Sequence, residues 1–421
     1  MANPAKIHPV LAEQMRVHAL TLTAQPLRVI VRYRPGAMGV SETVEGVVAT
    51  HRTFRLIPAS AQSVTPGAVD TLSERDNVEM IWYDEVVHTM LDVSVPLIGA
   101  PLVWQQSITG KGIRVGIVDT GIDPNHPDFA GRVVQMEDFT GQGPVDNHGH
   151  GTHVAGIVGG SGAASGGKYK GVAPDCSYYT AKVLRGDGSG NMSDVMAGIE
   201  WAVQQGVQVI NLSLGGGQSC DGTDALSATC DAAVSHSVVM CVAAGNSGPN
   251  ASTVGSPGCA KTVITVGATT KTDLVADFSS RGPTSDNRIK PDLCFPGAAI
   301  TSCRAKGTAM GTPLDDNYTT ASGTSMATPH ATGACALLLQ AKPGLVPQQI
   351  KDLLMNTAKD LGLDPNTQGK GRAQVFAAYQ SALGEIPQPP PQPQPWPPPP
   401  APGLGCLEML RNLLGSRQDA V

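Results

Sequence analysis

Short, continuous apolar runs rich in valine and isoleucine recur along the chain from Gly112 onwards, separated by stretches of helical composition. Such runs are typical of strands buried on both faces of a parallel sheet. Their alternation with helices favours a doubly wound α/β domain with three layers and a mostly parallel sheet, which binds ligands at the carboxyl ends of its strands. We predict strands at 113–118, 178–184, 207–214, 238–244 and 263–266, and helices at 150–158, 194–205, 225–235, 324–340 and 347–357.

The segments on either side of this region have different patterns. Before it, apolar runs at 27–33, 54–57 and 78–83 predict strands, and 66–75 predicts a short helix, so we expect a small α+β unit. This unit ends in residues 84–95, which we predict to be extended because they carry no helix signal. We therefore place the domains at 1–91, 92–384 and 385–421.

The last of these segments begins with a proline-rich stretch, 387–402, which predicts a polyproline II spacer. Residues 404–414 (LGCLEMLRNLL) predict one short amphipathic helix. The segment is either a solvated linker with a weakly ordered tail or a docking site for a partner.

Composition excludes several classes of function. Only 15% of the 421 residues are charged, the net charge is -6, and no basic block occurs, so we expect no binding to nucleic acid or to anionic membranes. No apolar run reaches the roughly 18 residues of a membrane span. The N-terminal residues lack the apolar core of a secretory signal, so the protein stays inside, leaves by another route, or has lost its signal.

The nine cysteines are an odd number, so at least one thiol is free or paired between chains. Cys241 and Cys335 lie in apolar runs, where we expect them to pack as small hydrophobic residues. Cys220, Cys230 and Cys259 lie in or beside polar turns, so a disulfide could join two of them. Neither a CxxC motif nor a Cys/His spacing typical of a metal site is present.

The stretch 323–334 (GTSMATPHATGA) places Ser325 among small residues, immediately before an apolar run of helical composition. A hydroxyl in this position lies at the positive end of a helix. Most serines at helix starts are caps, so a catalytic role for Ser325 depends on partners elsewhere in the chain.

Three polar residues provide such partners. Asp119 ends the strand in GIRVGIVDTG, His150 begins a helix in DNHGHGTHVAG, and Asn246 follows a strand in VAAGNSG. Each has a structural interpretation when considered alone, as a turn cap, a structural histidine or a turn-supporting amide. Together with Ser325 they provide a nucleophile, a base and an acid that orients the base. The Ser325 backbone N–H and the Asn246 amide would bind the oxyanion.

The segments VDTGIDPNHPDF, HGTHVAG, NLSLGG, AAGNSG and GTSMATPHATG resemble those of the subtilisin-like serine proteases, over roughly residues 92–384. The resemblance implies a serine endopeptidase that needs no cofactor, with Asp119, His150 and Ser325 catalytic and Asn246 in the oxyanion hole. A related esterase would more often carry G-x-S-x-G with the histidine after the serine. A catalytically silent binding protein of the same fold is the alternative, and the four intact residues argue against it.

By the same resemblance, a substrate would lie extended between two strand edges, and one pocket would select its side chain. Because glycine forms the pocket floor and Ser247 rather than an acid lies nearby, we expect broad cleavage after large apolar or aromatic residues. A cis proline is expected at 256–257. The edges are Ser213, Leu214 and Gly215 on one side and Gly188, Ser189 and Gly190 on the other, and the pocket is formed by Ala243, Ala244 and Gly245 with Gly255 as its floor.

The N-terminal unit resembles, more weakly, the propeptide of these proteases. The resemblance implies a zymogen that cleaves itself between residues 88 and 93 and whose propeptide then acts as an inhibitor. A permanent N-terminal domain is the alternative. We expect a monomer that acts on proteins and peptides, and we favour export with the signal missing over a cytoplasmic location.

The resemblance is weaker where relatives bind calcium tightly. The loop at 159–171 (GGSGAASGGKYKG) has no Asn or Asp, so we expect this calcium site to be absent although Asp128 remains. Asp286, in a polar stretch near Gly282, is either a calcium ligand or part of a solvated loop.

Overall fold

The computed structural model describes residues 3–8, 11–12, 15–16, 26–34, 44–54, 58–84, 91–216 and 220–384. The predicted elements at 387–402 and 404–414 lie outside these ranges, as do residues 55–57 and 85–90. The chain forms two compact units, Met1–His88 and Thr89–Val421, so the division lies three residues before the boundary we predicted at residue 91.

The described residues of the first unit include an antiparallel sheet of four strands and the helix Pro66–Glu74. The strands predicted at 27–33 and 78–83 and the helix predicted at 66–75 are confirmed. Of the strand predicted at 54–57, only Phe54 is described, and it is the last residue of a strand that begins at Val47. The elements are β1 (Leu27–Tyr33), β2 (Val47–Phe54), β3 (Ala59–Val64), α1 (Pro66–Glu74) and β4 (Val78–Tyr83), in the sheet order β2-β3-β1-β4.

The second unit is built on a seven-stranded sheet in which every strand pair is parallel. Its strands are β5 (Arg114–Asp119), β6 (Val133–Asp138), β7 (Ser177–Lys182), β8 (Val209–Leu212), β9 (Val239–Ala243), β10 (Ile264–Thr269) and β11 (Leu293–Pro296), in the order β11-β10-β9-β8-β5-β7-β6. A small antiparallel sheet contains β12 (Ile300–Cys303), β13 (Thr312–Pro313) and β14 (Tyr318–Ala321). The helices are α2 (Leu91–Leu97), α3 (Ala100–Trp104), α4 (His150–Gly159), α5 (Met192–Gln204), α6 (Ala225–Ser235), α7 (Thr324–Ala341), α8 (Pro347–Asn356), α9 (Pro365–Gln368) and α10 (Val375–Ala382).

Two hydrophobic cores lie on opposite faces of this sheet, because successive strand residues point to opposite sides. In β5, Ile117 belongs to the core that includes residues of α4, α7, α8 and α10, whereas Val118 belongs to the core that includes residues of α5 and α6. In β9, Cys241 belongs to the first of these cores and Val242 to the second. The predicted three-layer α/β architecture follows from this packing.

All five strands and all five helices predicted for this unit are present, with ends shifted by at most three residues. The prediction of an extended segment up to residue 95 is wrong, because α2 begins at Leu91. Tertiary contacts hold this short helix: Val95 is buried in the core, and the buried Ser94 hydroxyl lies 2.9 Å from Nε2 of His330 in α7.

The strand order fixes where polar loops converge. The chain leaves β5 towards β6 and β7 and returns on the other side of β5 with β8. A reversal of this kind opens a crevice at the carboxyl ends of the strands around it. Asp119 is the last residue of β5 and therefore lies at this crevice.

Candidate active site

Asp119 and His150 form a hydrogen-bonded pair at the end of β5. His150 is the first residue of α4, and Gly149 before it has a left-handed backbone, which glycine adopts easily. The His150 Nδ1 and Asp119 Oδ1 atoms are 2.7 Å apart. Because a carboxylate only accepts, Nδ1 carries the proton and Nε2 is left as the basic nitrogen. Asp119 is fully buried, whereas the His150 side chain is 18% exposed and lines the adjacent cleft.

The charges around His150 favour its protonated form. Burial alone would lower the pKa of this imidazole. The charge and hydrogen bond of Asp119, together with the charge of Asp146, outweigh burial and raise the pKa of His150 above its ordinary value of 6.5. His150 is therefore suited to accept a proton from a neighbouring hydroxyl.

Ser325 lies in the same cleft as His150, in the first turn of α7. Two hydrogen bonds connect it to Ser213: the Ser325 hydroxyl donates to the Ser213 carbonyl at 3.0 Å, and the Ser213 hydroxyl donates to the Ser325 carbonyl at 2.9 Å. The hydroxyl is thus bonded to the cleft edge, and a rotation about χ1 would redirect it. Hydrogen bonds of catalytic groups often form only when substrate is bound.

The side chain of Asn246 is oriented by Thr324. Its Oδ1 accepts from the Thr324 backbone N–H at 2.8 Å and from the Thr324 hydroxyl at 3.1 Å. The Nδ2 donor is therefore left for the cleft, which Asn246 lines. The backbone N–H groups at the start of α7, including that of Ser325, have no acceptor within the helix. The Asn246 amide nitrogen and the Ser325 N–H, which the sequence analysis predicts as oxyanion donors, thus both belong to residues that line the cleft.

The cleft encloses about 930 Å³. Of the ten substrate-binding residues predicted from the sequence, two do not line it. Ala244, the residue after β9, is buried and does not contribute to the cleft lining. Gly255 does not line the cleft either, but the next residue, Ser256, does. The eight that do line it are Ser213, Leu214, Gly215, Gly188, Ser189, Gly190, Ala243 and Gly245.

The sequence model of the subtilase family matches residues 110–373, which is more than half of the chain. The chain belongs to the subtilase family. It is 40% identical to the serine protease AprX of Bacillus subtilis over 346 residues, which cover 76% of this chain and 78% of AprX. It is 41% identical to subtilisin DY of Bacillus licheniformis over 290 residues, which cover 68% of this chain and 97% of subtilisin DY.

A solved structure leads to the same assignment. The crystal structure of a cold adapted subtilisin-like serine proteinase has a TM-score of 0.52 and 37% identity, and the match covers 63% of this chain and 88% of that protein. This subtilase is therefore a serine endopeptidase, and its substrates are proteins. Subtilases need no cofactor for catalysis. Among the residues described, no helix has the length and apolar character of a membrane span.

A disulfide lies beside the cleft of this subtilase, between two of the three cysteines that the sequence analysis considered for one. Cys220, which lines the cleft, is bonded to Cys259, and Cys230 is a free, buried thiol. Cys241 and Cys335 are also free and buried, as predicted from their apolar surroundings. The 256–257 peptide bond is cis, as the resemblance implies.

The sequence analysis also missed Asp146, which organises the loop before His150. One oxygen of this buried carboxylate accepts from the backbone N–H groups of His148 and Gly149 and from the Thr120 hydroxyl, at 2.7–3.0 Å. The other accepts from the N–H and hydroxyl of Thr152. An aspartate four residues before the helix histidine, in DNHGHGTH, was the available signal for this cap.

The two carboxylates that we considered for calcium both interact with donors of the protein itself. Asp128 accepts from the Tyr318 hydroxyl at 3.0 Å and from the Ala164 N–H at 2.9 Å, so hydrogen-bond donors occupy its oxygens. Asp286 is paired with Arg288 at 2.7 Å. The hydrogen bonds from Arg288 and a neighbouring threonine lower the pKa of Asp286 to about 2.

Proposed function

We propose that Asp119, His150 and Ser325 are the catalytic residues of this endopeptidase, with Asn246 and the Ser325 N–H as oxyanion donors. The observation that carries the proposal is the 2.7 Å hydrogen bond between His150 and the buried Asp119, at a cleft that Ser325 also lines. An imidazole held in one tautomer beside a serine hydroxyl is the arrangement that nucleophilic acyl transfer requires.

The reaction then proceeds in two halves. His150 Nε2 takes the proton of the Ser325 hydroxyl while its oxygen bonds to the scissile carbonyl carbon, and Asp119 stabilises the resulting imidazolium. The Asn246 amide and the Ser325 N–H bind the carbonyl oxygen as it becomes negative. His150 gives its proton to the departing amine, and water repeats the sequence to release the acid.

The peptide would bind in an extended conformation between residues 213–215 and 188–190. Backbone hydrogen bonds along two edges hold a substrate with little demand on its sequence. Two local bonds support these edges: the Arg185 N–H donates to the Ser189 carbonyl at 2.8 Å, and the Gly216 N–H donates to the Ser256 carbonyl at 3.0 Å. Side-chain selection is then left to the pocket beside Ala243 and Gly245.

We propose a preference for a large apolar or aromatic residue before the scissile bond. One carboxylate, Asp224, does line the cleft. Its oxygens already accept from the Ser256 hydroxyl at 2.6 Å and from the Ser227 N–H and hydroxyl at 3.0 and 2.7 Å. Asp224 is thus engaged as the cap of α6 and offers little to a basic substrate side chain.

Peptides that differ only at this substrate residue test the preference. Phenylalanine and leucine are expected to give a kcat/KM about 10- to 100-fold above glutamate and lysine, since burying an apolar side chain is worth about 1.5–3 kcal/mol. Asp224→Asn is the matched variant, because asparagine also caps helices. A wild-type preference for lysine that Asp224→Asn abolishes would contradict the proposal and identify Asp224 as the selecting group.

We further propose that the enzyme is made as a monomeric, exported zymogen that removes its own N-terminal unit, which then acts as an inhibitor. The first residues of α2 set one limit on the cut. Ser94, Val95 and Ile98 are buried in the second unit, so the mature chain has to retain them. A cut between residues 88 and 93 satisfies this requirement.

Intact-mass analysis of freshly expressed protein tests self-processing. Wild type is expected to lose about 9–10 kDa, the mass of roughly 88–93 residues at about 0.1 kDa each. The Ser325→Ala variant is expected to stay full length. If both proteins lose the segment, another protease makes the cut. If both remain whole, the N-terminal unit is permanent or the site is inert, and labelling of Ser325 by a fluorophosphonate distinguishes the two.

A further inference from the structure

Lys182 is a fully buried lysine that the proposed reaction does not use. It is the last residue of β7, and the strand register places it beside Asp119 of β5 and Asp138 of β6. Its Nζ donates to the Thr120 carbonyl at 2.8 Å, to Asn147 Oδ1 at 2.8 Å and to the Leu184 carbonyl at 3.0 Å. All three N–H groups of the ammonium are thereby satisfied.

The three acceptors belong to the three segments that build the site. Thr120 follows Asp119 directly, and its N–H donates to Asp119 Oδ1 at 2.7 Å. Asn147 is in the loop before His150. Leu184 lines the cleft and leads into the edge at 188–190. One buried ammonium therefore connects the orienting acid, the base and a substrate-binding edge.

All three acceptors are neutral, although carboxylates surround the lysine. Burial lowers the pKa of Lys182, and the charges of Asp146, Asp138 and Asp119 oppose this effect. Direct pairing with Asp119 would compete with His150 for that carboxylate. The observed geometry places a positive charge near Asp119 without such competition.

We propose that Lys182 is a positioning residue of the active site, which holds Asp119, the loop before His150 and the cleft edge in register through its three hydrogen bonds. This inference rests on the proposed catalytic roles of Asp119, His150 and Ser325. It assigns Lys182 no contact with the substrate.

The proposal has an electrostatic consequence. Asp119 and Asp146 favour protonated His150, His148 faces its ring at 6.3 Å, and His153 lies one turn along α4. The charge of Lys182 opposes the two carboxylates. Removing that charge therefore raises the pKa of His150, and the acidic limb of the kcat/KM profile moves to higher pH.

Lys182→Met removes the charge and the donors while keeping most of the side-chain volume. With active enzyme counted by fluorophosphonate labelling, kcat is expected to fall about 10- to 100-fold with a smaller change in KM, as for loss of positioning. The acidic limb is expected to rise by on the order of half a pH unit. The matched control is Lys351→Met, which removes another buried ammonium, paired with Asp292 and donating to the Val263 carbonyl, and should leave the limb in place.

Asn147→Ala removes one acceptor of Lys182, together with the 3.2 Å donation from the Asn147 amide to Gln142 Oε1, at an exposed position, and should fold even if Lys182→Met does not. We expect it to lower kcat by about 3- to 10-fold without moving the limb. In a double-mutant cycle, Asn147→Ala should add little to Lys182→Met, because both remove the same link.

Several results would overturn the proposal. One is an unchanged kcat in Asn147→Ala, and another is full additivity of the two substitutions. The third is an acidic limb of the kcat/KM profile that, in Lys182→Met, stays at its wild-type pH or moves to lower pH. Failure of the proposed function is distinguishable, since wild type would then show no fluorophosphonate labelling at Ser325.

Discussion

Ser325→Ala is expected to lower kcat/KM by about 10⁴-fold or more, because alanine has no hydroxyl to form the covalent acyl intermediate proposed for Ser325. Alanine removes only the hydroxyl, which donates to the Ser213 carbonyl, and the start of α7 keeps its backbone contacts. Stability should therefore change little. A fluorophosphonate should label wild type stoichiometrically and the variant not at all.

Ser322→Ala is the matched control for this measurement. Ser322 is three residues earlier in the chain, and its hydroxyl accepts from the Ala299 N–H at 2.8 Å, but it does not line the cleft. This variant should retain both labelling and turnover. Labelling that persists in Ser325→Ala would place the nucleophile elsewhere. Because the N-terminal unit is proposed to act as an inhibitor, turnover of Ser325→Ala should be measured after that unit has been removed by an added protease.

The fold was predictable where burial alone decides the local structure. Strands such as β8 and β9 are buried on both faces, so their sequences are continuous apolar runs that indicate strands directly. Two of the strands that were missed, both in the first unit, obey other constraints. β2 (VVATHRTF) is largely exposed, and β3 (ASAQSV) contains small and polar residues that are buried by pairing within the sheet. Their hydrophobic pattern is too weak to detect.

Short segments held by distant partners were also unpredictable. The helix at α2 has no local signal and contains Pro96, and it is held in part by the burial of Val95 and the contact of Ser94 with His330. Tertiary contacts of this kind override local propensity. The cut predicted between residues 88 and 93 rested on the position of this stretch and on its extended character, and the helix that begins at Leu91 removes the second support for residues 91–93.

For the site, sequence reasoning found the groups proposed to react but not the groups that hold them. Asp119, His150, Ser325 and Asn246 occur in unusual contexts of small residues, which makes them visible. The partners Asp146 and Lys182 occupy ordinary contexts, at a helix start and a strand end. Their importance comes from hydrogen bonds to backbone groups of other segments, which a sequence does not display.

Asp119→Asn is expected to lower kcat/KM by about 10⁴-fold at neutral pH, because the imidazolium formed in the transition state loses its buried counter-charge. Asparagine should keep its oxygen at the Oδ1 position, where the Thr120 N–H and His150 Nδ1–H both donate. Its amide nitrogen then replaces Oδ2, a buried atom without a hydrogen-bond partner among the described residues. An unsatisfied buried donor costs about 1–3 kcal/mol of stability.

The pH profile separates loss of charge from loss of structure. Asp119 raises the pKa of His150, so removing its charge lowers that pKa, and the acidic limb of kcat/KM should move to lower pH. Destabilisation alone would reduce the amount of active enzyme without moving the limb. The control is Asp128→Asn, a substitution of another fully buried carboxylate that does not line the cleft, which should lose stability but keep the wild-type limb. A limb that stays in place in Asp119→Asn would mean that Asp119 orients His150 without affecting its charge.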